Sequence, residues 1–212
     1  GVTFKVYTKD DAAYADIQSG ALDVMESVPA SATKTFETDE TVQAYNKAGS
    51  VIQQFTIPSS LKHFEAGTEE GTLRRQAISM AINRENICDK VLNGTGTPAV
   101  DFTSPLTPGY SDSLKGVGNL KYNEKKANAI SPWTSDDKLT FAYNADGGHE
   151  TTYTAVVNSI NNTLGSEVAA TNPYPTFNDY RTAVSDRKVQ GAFRSGWQPD
   201  YPSAENYLVA NY

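Results

Sequence analysis

Short apolar or alternating runs recur along the chain and predict β-strands. A strand places apolar side chains at every second residue, or as a short continuous run where both faces are buried. Runs of this kind occupy 3–8, 21–25, 51–57, 138–144, 166–171 and 189–195. Helical spacing separates them, so the pattern predicts a folded α/β protein.

The first predicted helix lies between the first two of these strands. Asp10 and Asp11 stand where acidic residues favour the N-terminus of a helix, and Gly20 stands where a left-handed residue ends one. The beginning of the chain is therefore predicted to be βαβ-like.

The clearest helical pattern spans 69–94. Leu73, Ala77, Ile78 and Ala81 share one face, and a second apolar face follows at Ile87, Val91 and Leu92. Asn83 is a good N-cap, so we expect two consecutive helices with a break near 82–83 and an end at Asn93–Gly94. Ile78 and Ile87 should be buried, Cys88 should be half-buried, and Arg74, Arg75, Lys125 and Lys126 should lie on solvated faces.

After this helical pattern, the sequence predicts a long loop followed by alternating helices and strands. Residues 95–120 are rich in Gly, Pro, Ser and Thr, which predicts a long ordered loop. Helix, strand, helix and strand are then expected between 123 and 171.

The charge balance excludes one class of partner. The 212 residues carry a net charge of −7, and no stretch combines clustered Lys and Arg with aromatic residues. Because nucleic-acid binding depends on such a basic surface, we expect no nucleic-acid partner.

Few residues suit catalysis or metal binding. His63 and His149 are the two histidines, and they stand far apart in no ligand motif, while the single cysteine, Cys88, lies within the helical pattern. We therefore expect neither a metal nor a cofactor. The chain contains no predicted membrane span and begins without Met or a signal sequence, so we expect it to be part of a longer protein.

The most unusual stretch is 191-GAFRSGWQPDYPSAENYL-208. It places the carboxylate of Asp200 between two prolines and beside Trp197 and Tyr201. This combination favours neither a helix nor an ordinary surface loop, so it is the candidate site.

Several stretches together resemble one family, the extracytoplasmic solute-binding proteins of oligopeptide and dipeptide ABC transporters (bacterial family 5). The resemblance covers nearly the whole chain, with the matching stretches in the expected order. They are 19-SGALDV-24, 73-LRRQAISMAINRENICDKVLNGTGTPA-99, 122-YNEKKANAI-130, 176-TFNDYRTAV-184 and 196-GWQPDYPSAENYL-208.

The resemblance implies a fold and a biological setting. The fold would be one lobe of a two-lobed periplasmic-binding-protein-like (type II) structure, with a mixed sheet flanked by helices. Residues 1–212 would form the second, C-terminal lobe, with the first lobe and the C-terminal return segment absent. The protein would be an extracytoplasmic monomer, held to the membrane at most by a lipid anchor outside this chain. It would deliver peptides to ABC permease subunits and would not be an enzyme.

The resemblance also implies a binding site. The carboxylate in the family's Gly-Trp-x-x-Asp-Tyr pattern meets the α-amino group of the peptide, and nearby backbone groups pair with the peptide as an added strand. That carboxylate would be Asp200. The ligand-binding set implied here comprises Arg194, Gly196, Trp197, Gln198, Asp200 and Tyr201.

Other interpretations of the same residues remain open at this point. Asp200 could cap a helix that begins near Ser203, and Trp197 could pack in the core or line a cleft. Arg194 could pair with Asp200 or be an exposed strand residue. The ligand could instead be a nickel complex, haem or an oligosaccharide, and a remote alternative is a hydrolase with Asp200 as its base.

Overall fold

Helices and strands alternate along the chain in the computed structural model, which describes residues 1–130, 133, 138–165 and 167–212. The elements are α1 (Asp10–Ser19), β1 (Phe55–Thr56), α2 (Glu69–Ala81), α3 (Arg84–Asn86), α4 (Glu124–Asn128), β2 (Leu139–Asn144), α5 (Glu150–Leu164), β3 (Ala169–Tyr174), α6 (Phe177–Ser185), β4 (Ala192–Arg194) and α7 (Ala204–Leu208). The chain divides into two compact units, Gly1–Lys47 and Ala48–Tyr212.

The first unit contains α1 but not the two predicted strands that flank it. The helix has Asp10 and Asp11 in its first turn and ends at Gly20, which is left-handed with φ 76°. The predictions of strands at 3–8 and 21–25 are wrong, because the described residues pair neither segment with a neighbouring strand. Phe4 and Val6 are each 92% exposed. Alternation alone therefore does not make a strand here.

Helix α2 confirms most of the predicted buried face. The Thr68 side chain caps its N-terminus by accepting from the Gly71 N–H. Ala77, Ile78 and Ala81 are buried, as predicted, but Leu73 is exposed. The apolar stripe therefore begins one turn later than its first apolar residue suggested.

The predicted break after α2 is confirmed. The Asn83 side chain accepts from the Asn86 N–H at 3.0 Å and so caps α3. The helix widens into a π-helical turn over Ile87–Val91, and Ile87 is buried. Asn93 and Gly94 follow with positive φ values of 52° and 76°, which ends the helical path as predicted.

The predicted long loop is ordered by its own side chains. The Asp101 carboxylate accepts from the backbone N–H groups of Thr103 at 3.0 Å and Ser111 at 2.9 Å. Thr103, Ser104 and Thr107 are buried. The segment therefore folds back on itself between α3 and α4.

The sheet is mixed, with strand order β1-β4-β2-β3. Strands β2 and β3 are parallel, β2 and β4 are parallel, and β1 is antiparallel to β4. The predicted strand at 138–144 is confirmed, and those at 51–57 and 189–195 contain shorter strands. The prediction at 166–171 begins outside the described residues at 166, and the strand itself extends further, to Tyr174. Pro173 is tolerated there because β3 is an edge strand.

The two faces of the sheet carry separate cores. Leu139, Phe141 and Tyr143 on one face of β2 pack with helices α2 and α5, including Ile78 and Ile160. Ala142 on the opposite face packs with Tyr180, Ala183 and Val189 around α6. This α/β architecture, with a mixed sheet between helices, confirms the expected fold class.

Two positions predicted to be solvated are in fact tied into the structure. Arg75 donates to the carbonyls of Phe64, Ile57 and Pro58 at 2.8–3.0 Å. Arg74 is 8% exposed and lies over the ring of Trp133, 4.6 Å from its centroid. The prediction of a solvated Arg74–Arg75 face is therefore wrong, because both guanidinium groups find acceptors or a ring within the unit.

Candidate functional site

The carboxyl ends of three parallel strands meet at one edge of the sheet. Asn144 ends β2, Tyr174 ends β3 and Arg194 ends β4. In open α/β sheets this edge is where ligands bind, because the chain leaves the strands there and loops can form a crevice. The unusual stretch identified from the sequence, 191–208, contains β4 and continues beyond its end at this edge.

Beyond β4 the chain continues as a ribbon paired with the residues before β1. Arg194 stands opposite Phe55, and the same register carries on to an isolated bridge between Ile52 and Trp197. Trp197 donates its N–H to the Ile52 carbonyl at 2.9 Å and accepts from the Ile52 N–H at 3.0 Å. The ribbon therefore extends past the end of β2.

Three tyrosine hydroxyls hold this ribbon by its carbonyl oxygens. Tyr153 donates to Gln54 at 3.2 Å, Tyr207 donates to Ser50 at 2.5 Å, and Tyr180 donates to Arg194. Burial raises the pKa of Tyr180 to about 12, so this hydroxyl keeps its proton at neutral pH. The ribbon is fixed from α5, α6 and α7.

One edge of the ribbon is open. In an antiparallel pair, successive residues turn their backbone groups alternately towards and away from the partner strand. Trp197 faces Ile52, so Gly196 and Gln198 face the other way, and neither has a backbone hydrogen-bond partner among the described residues. The preceding outward carbonyl, that of Arg194, is already occupied by Tyr180. The edge therefore opens at Gly196.

Gly196 also stands where a side chain would collide with its neighbours. A Cβ atom there would lie 2.5 Å from Gln53 Oε1 and 3.3 Å from an Arg194 guanidinium nitrogen. The Gln53 and Arg194 side chains thus crowd the same side of the ribbon, beside the open backbone edge.

Arg194 fits neither of the two roles considered for it from the sequence. No ion pair joins it to Asp200 in the described part of the chain. It is half-buried rather than exposed, and its Nε is fully buried without a hydrogen-bond partner among the described residues. A buried N–H without an acceptor is costly, so this donor is a candidate ligand contact.

Asp200 does not cap the following helix. Ser203 takes that position, because its side chain accepts from the Glu205 N–H and α7 begins at Ala204. The helix does begin near Ser203, but the interpretation of Asp200 as its cap is wrong. Asp200 is exposed, and its carboxylate accepts no hydrogen bond from the residues that the structure describes. The carboxylate is therefore available to a ligand.

The other residues of the predicted set lie along the same loop. Trp197 is half-buried and donates its indole N–H to Asn206 Oδ1 at 3.0 Å. Gln198 is exposed, and Tyr201 is 47% exposed. The structure thus brings the whole set, Arg194 to Tyr201, onto one ribbon and the turn that follows it.

A histidine joins this edge from the start of α5. His149 precedes the helix and is half-buried, and its Nε2 lies close to Gly147, where a Cβ would be 2.6 Å away. Burial and the positive charge of Arg194 lower the pKa of His149 to about 4, although the Asp146 carboxylate opposes the shift. At neutral pH His149 is therefore an uncharged imidazole.

Asn144 and Asp146 complete the edge. Asn144 Nδ2 donates to the Asp146 carboxylate at 2.7 Å, and the Phe177 N–H donates to the same carboxylate at 3.0 Å. Asn144 is buried, and its Oδ1 has no hydrogen-bond partner among the described residues. Asp146 thus ties the end of β2 to the start of α6.

Several of these residues escaped sequence reasoning. The sequence marks His149 only as a possible metal or catalytic residue, and it does not mark Asn144, Tyr180 or Asn206 as parts of a site. Tyr180 lies within the stretch 176–184, but its partner, Arg194, lies on β4. Asn206 shares the stretch 196–208 with its partners, which the packing of α7 brings close to it. No spacing in the sequence indicates those contacts.

The described residues form neither a cluster of metal ligands nor a membrane-spanning helix. Over the described residues no group of three or more His, Cys, Asp or Glu side chains is placed to hold a metal ion. Within the same residues no helix combines the length and apolarity needed to cross a membrane.

Comparisons with known proteins place the sequence in a family. The sequence profile described as "Bacterial extracellular solute-binding proteins, family 5 Middle" matches residues 1–212. The chain is 24% identical over 219 residues to the periplasmic murein peptide-binding protein MppA of Escherichia coli, a match that covers 98% of this chain and 38% of that protein. It is 32% identical over 148 residues to the periplasmic oligopeptide-binding protein OppA of Salmonella typhimurium, covering 63% and 25%.

Solved structures share the fold. The periplasmic binding protein DppA of Helicobacter pylori, in complex with the peptide STSA, superposes with a TM-score of 0.75 at 16% identity, covering 96% of this chain and 38% of that one. The chain therefore spans less than two fifths of these proteins. The two sequence relatives are named as periplasmic binding proteins rather than enzymes.

Proposed function

The chain belongs to the bacterial extracellular solute-binding proteins of family 5, and we propose that it captures peptides as part of the substrate-binding component of a bacterial ABC importer. Two relatives are named for the binding of murein peptide and oligopeptide. In this proposal residues 1–212 form the second lobe of the whole protein, which works outside the cytoplasm as a monomer and delivers its ligand to permease subunits. A lipid anchor outside the chain would be its membrane attachment.

The open backbone edge at Gly196 and Gln198 carries this proposal. An extended peptide can pair with such an edge as an added strand, through main-chain hydrogen bonds that do not depend on its side chains. The ribbon is already fixed by three tyrosine hydroxyls, so little order would have to be gained on binding. This arrangement suits a binder of many peptide sequences.

The charges around this edge match the two ends of a peptide. The unpaired Asp200 carboxylate would meet the α-ammonium group, since opposite charges form strong hydrogen bonds when water is excluded. The Arg194 guanidinium, whose Nε lacks an acceptor, would meet a carboxylate or a carbonyl of the ligand. Trp197 and Tyr201 would form part of the wall, and Gln198 would add a polar contact.

We also infer that the site does not catalyse a reaction. A hydrolase with Asp200 as its base needs a nucleophile or activated water held nearby. Among the described residues no hydroxyl, imidazole or second carboxylate is hydrogen-bonded to the Asp200 carboxylate. The exposed, unpaired carboxylate is better suited to binding a cation than to proton transfer.

The test uses the full-length protein with trialanine and N-acetyl-trialanine, measured by calorimetry. Asp200→Asn should cost on the order of 2–5 kcal/mol of trialanine binding, because a charge-assisted bond in a closed cleft is lost. Acetylation of the peptide should cost a similar amount in the unmutated protein. In the Asp200→Asn variant acetylation should add little, since both changes remove the same interaction.

Glu205→Gln is the matched control, because Glu205 is an exposed carboxylate of α7 close in sequence to Asp200. It should leave trialanine binding nearly unchanged. If the losses from Asp200→Asn and from acetylation simply add, the α-ammonium contact is refuted. If the protein binds an oligosaccharide, haem or a nickel complex and no peptide, the proposed ligand class is wrong.

A further inference from the structure

One side chain joins the two most distinctive residues of the site. Asn206 Oδ1 accepts from Trp197 Nε1 at 3.0 Å and from the backbone N–H of Asp200 at 3.0 Å. Both partners are N–H donors, so the amide oxygen and not the NH₂ group must face them. A single acceptor atom therefore closes the turn from Trp197 to Asp200.

Asn206 can hold this turn because its own helix is anchored. Ser203 caps α7, and the Tyr207 hydroxyl next to Asn206 donates to the Ser50 carbonyl at 2.5 Å. Tyr207 is 2% exposed, so α7 is fixed against the ribbon by a buried ring. The Asn206 amide is therefore held in place by an anchored helix.

The Asp200 carboxylate has no comparable support of its own. It accepts no hydrogen bond from the described residues, so its position follows from its backbone. The backbone of Asp200 is held through its N–H group, which donates to Asn206 Oδ1. The same oxygen fixes the indole of Trp197, which precedes Asp200 by three residues.

We propose that Asn206 is a positioning residue for ligand capture: it does not touch the peptide but fixes the turn that presents Asp200 to the peptide α-ammonium group. The inference rests on the proposed function. A fixed carboxylate binds a cation better than a mobile one, because less conformational freedom is lost on binding.

The experiment compares Asn206→Ala, Asn206→Asp and the control Asn211→Ala in the full-length protein. Asn211 is a matched control because its amide donates to the Tyr207 carbonyl at 2.7 Å, in the segment just after α7. The readout is the ratio of the affinities for trialanine and N-acetyl-trialanine. This ratio reports the ammonium contact and not general stability.

Asn206→Ala should lower the ratio about tenfold, which is the effect of losing one good hydrogen bond on the bound state. Asn206→Asp should keep at least the unmutated ratio, because a carboxylate oxygen can accept from the same two N–H groups. Asn211→Ala should leave the ratio unchanged. An unchanged ratio in Asn206→Ala, or an equal loss in Asn211→Ala, overturns the proposal while peptide capture still stands.

A second measurement needs no ligand. Hydrogen exchange of the Trp197 indole N–H, assigned by its loss in Trp197→Phe, should be slow in the unmutated protein and in Asn206→Asp but fast in Asn206→Ala. If the unmutated protein does not distinguish the two peptides, the proposed contact between Asp200 and the α-ammonium group fails. Indole exchange then decides separately whether Asn206 holds the turn, and equal exchange in all variants refutes that role.

Discussion

The carboxyl ends of α2 and β4 both leave backbone groups without a partner in their own element. The two regions differ in whether other described residues supply the partners. The last carbonyls of a helix have no partner within it, and they must find donors elsewhere. At α2 the last three do: Arg84 donates to Ser79 and also to Ile82 just after the helix, the Asn123 N–H donates to Met80, and Ser159 and Thr163 donate to Ala81. The end of α2 thus obtains its donors from several other elements.

The end of β4 is incomplete by the same measure. Gly196 and Gln198 leave backbone groups without a partner in the described structure, and the Nε of Arg194 is buried without an acceptor. A buried unpaired group such as the Arg194 Nε reduces stability, and a ligand can supply the missing partner of such a group. The difference separates the part of the unit that stabilises the fold from the part that we propose binds the ligand.

The largest effect expected is on stability, at the α2 side. Ile78 is 1% exposed and lies in the core between α2, α5 and the sheet. Ile78→Ala should lower the free energy of unfolding by about 2–5 kcal/mol, because it removes buried methyl groups and leaves a cavity. Ile87→Ala should behave similarly. Urea midpoints with unchanged slopes measure both.

Lys125→Ala provides the matched control, since Lys125 is an exposed residue of α4. Its free energy of unfolding should change by no more than about 0.5 kcal/mol. A neutral Ile78→Ala would mean that the core does not lie where the structure has it, and the comparison between the two regions would fail.

The next effect directly contrasts two arginines. Arg84→Met should lower the free energy of unfolding by about 2 kcal/mol, because it removes the donor of the Leu120 carbonyl and the second donor of the Ser79 and Ile82 carbonyls. Arg194→Met should change it by less than about 1 kcal/mol, because the buried Nε has no acceptor to lose. Arg194→Met should weaken peptide binding more than Arg84→Met does.

Both variants are measured in the full-length protein by denaturant unfolding and by calorimetry with trialanine. If Arg194→Met destabilises the fold as much as Arg84→Met, Arg194 is a structural residue with partners that form in solution. The assignment of the β4 end to binding would then be wrong.

The sequence was informative where a local pattern decides the structure. Asn83 caps α3, Gly20 ends α1 and Ile78 is buried, and each follows from propensity or from helical spacing. The predictions are wrong where residues distant in the sequence determine the local structure. Segment 3–8 alternates like a strand but has no strand beside it in the described structure. Helical spacing does not indicate the contacts of Arg75, because its three carbonyl partners lie 11–18 residues away.

The candidate site followed the same rule. The stretch 191–208 indicates a candidate site by its unusual residues, and the resemblance implies roles for them, which stay predictions. The caps and contacts were less predictable: Ser203 rather than Asp200 caps α7, and Asn206 closes the turn through two bonds of 3.0 Å. Those contacts depend on how α7 packs on the ribbon, which one stretch of sequence does not encode.

The smallest effect expected is a pH dependence that arises at the β4 end. His149 has a pKa of about 4 in the folded protein, against 6.5 without the fold, because burial and Arg194 disfavour its charged form. Between these values the unfolded chain binds the proton and the folded protein does not. The contribution of His149 is therefore fully present above pH 6.5 and is lost as the pH falls towards 4. Since His149 is only half-buried, we expect about 1 kcal/mol over this range.

The measurement is the free energy of unfolding of the full-length protein between pH 5 and pH 7, where most carboxylates remain ionised. His149→Gln should remove part of the decline towards acid pH, because glutamine binds no proton. Arg194→Met should also weaken the decline, because it takes away the positive charge that opposes protonation of His149. His63→Gln is the matched histidine control, since the His63 ring contacts the Glu70 carboxylate of α2. Parallel curves for the unmutated protein and His149→Gln would show that His149 titrates normally, and the electrostatic part of the contrast would be refuted.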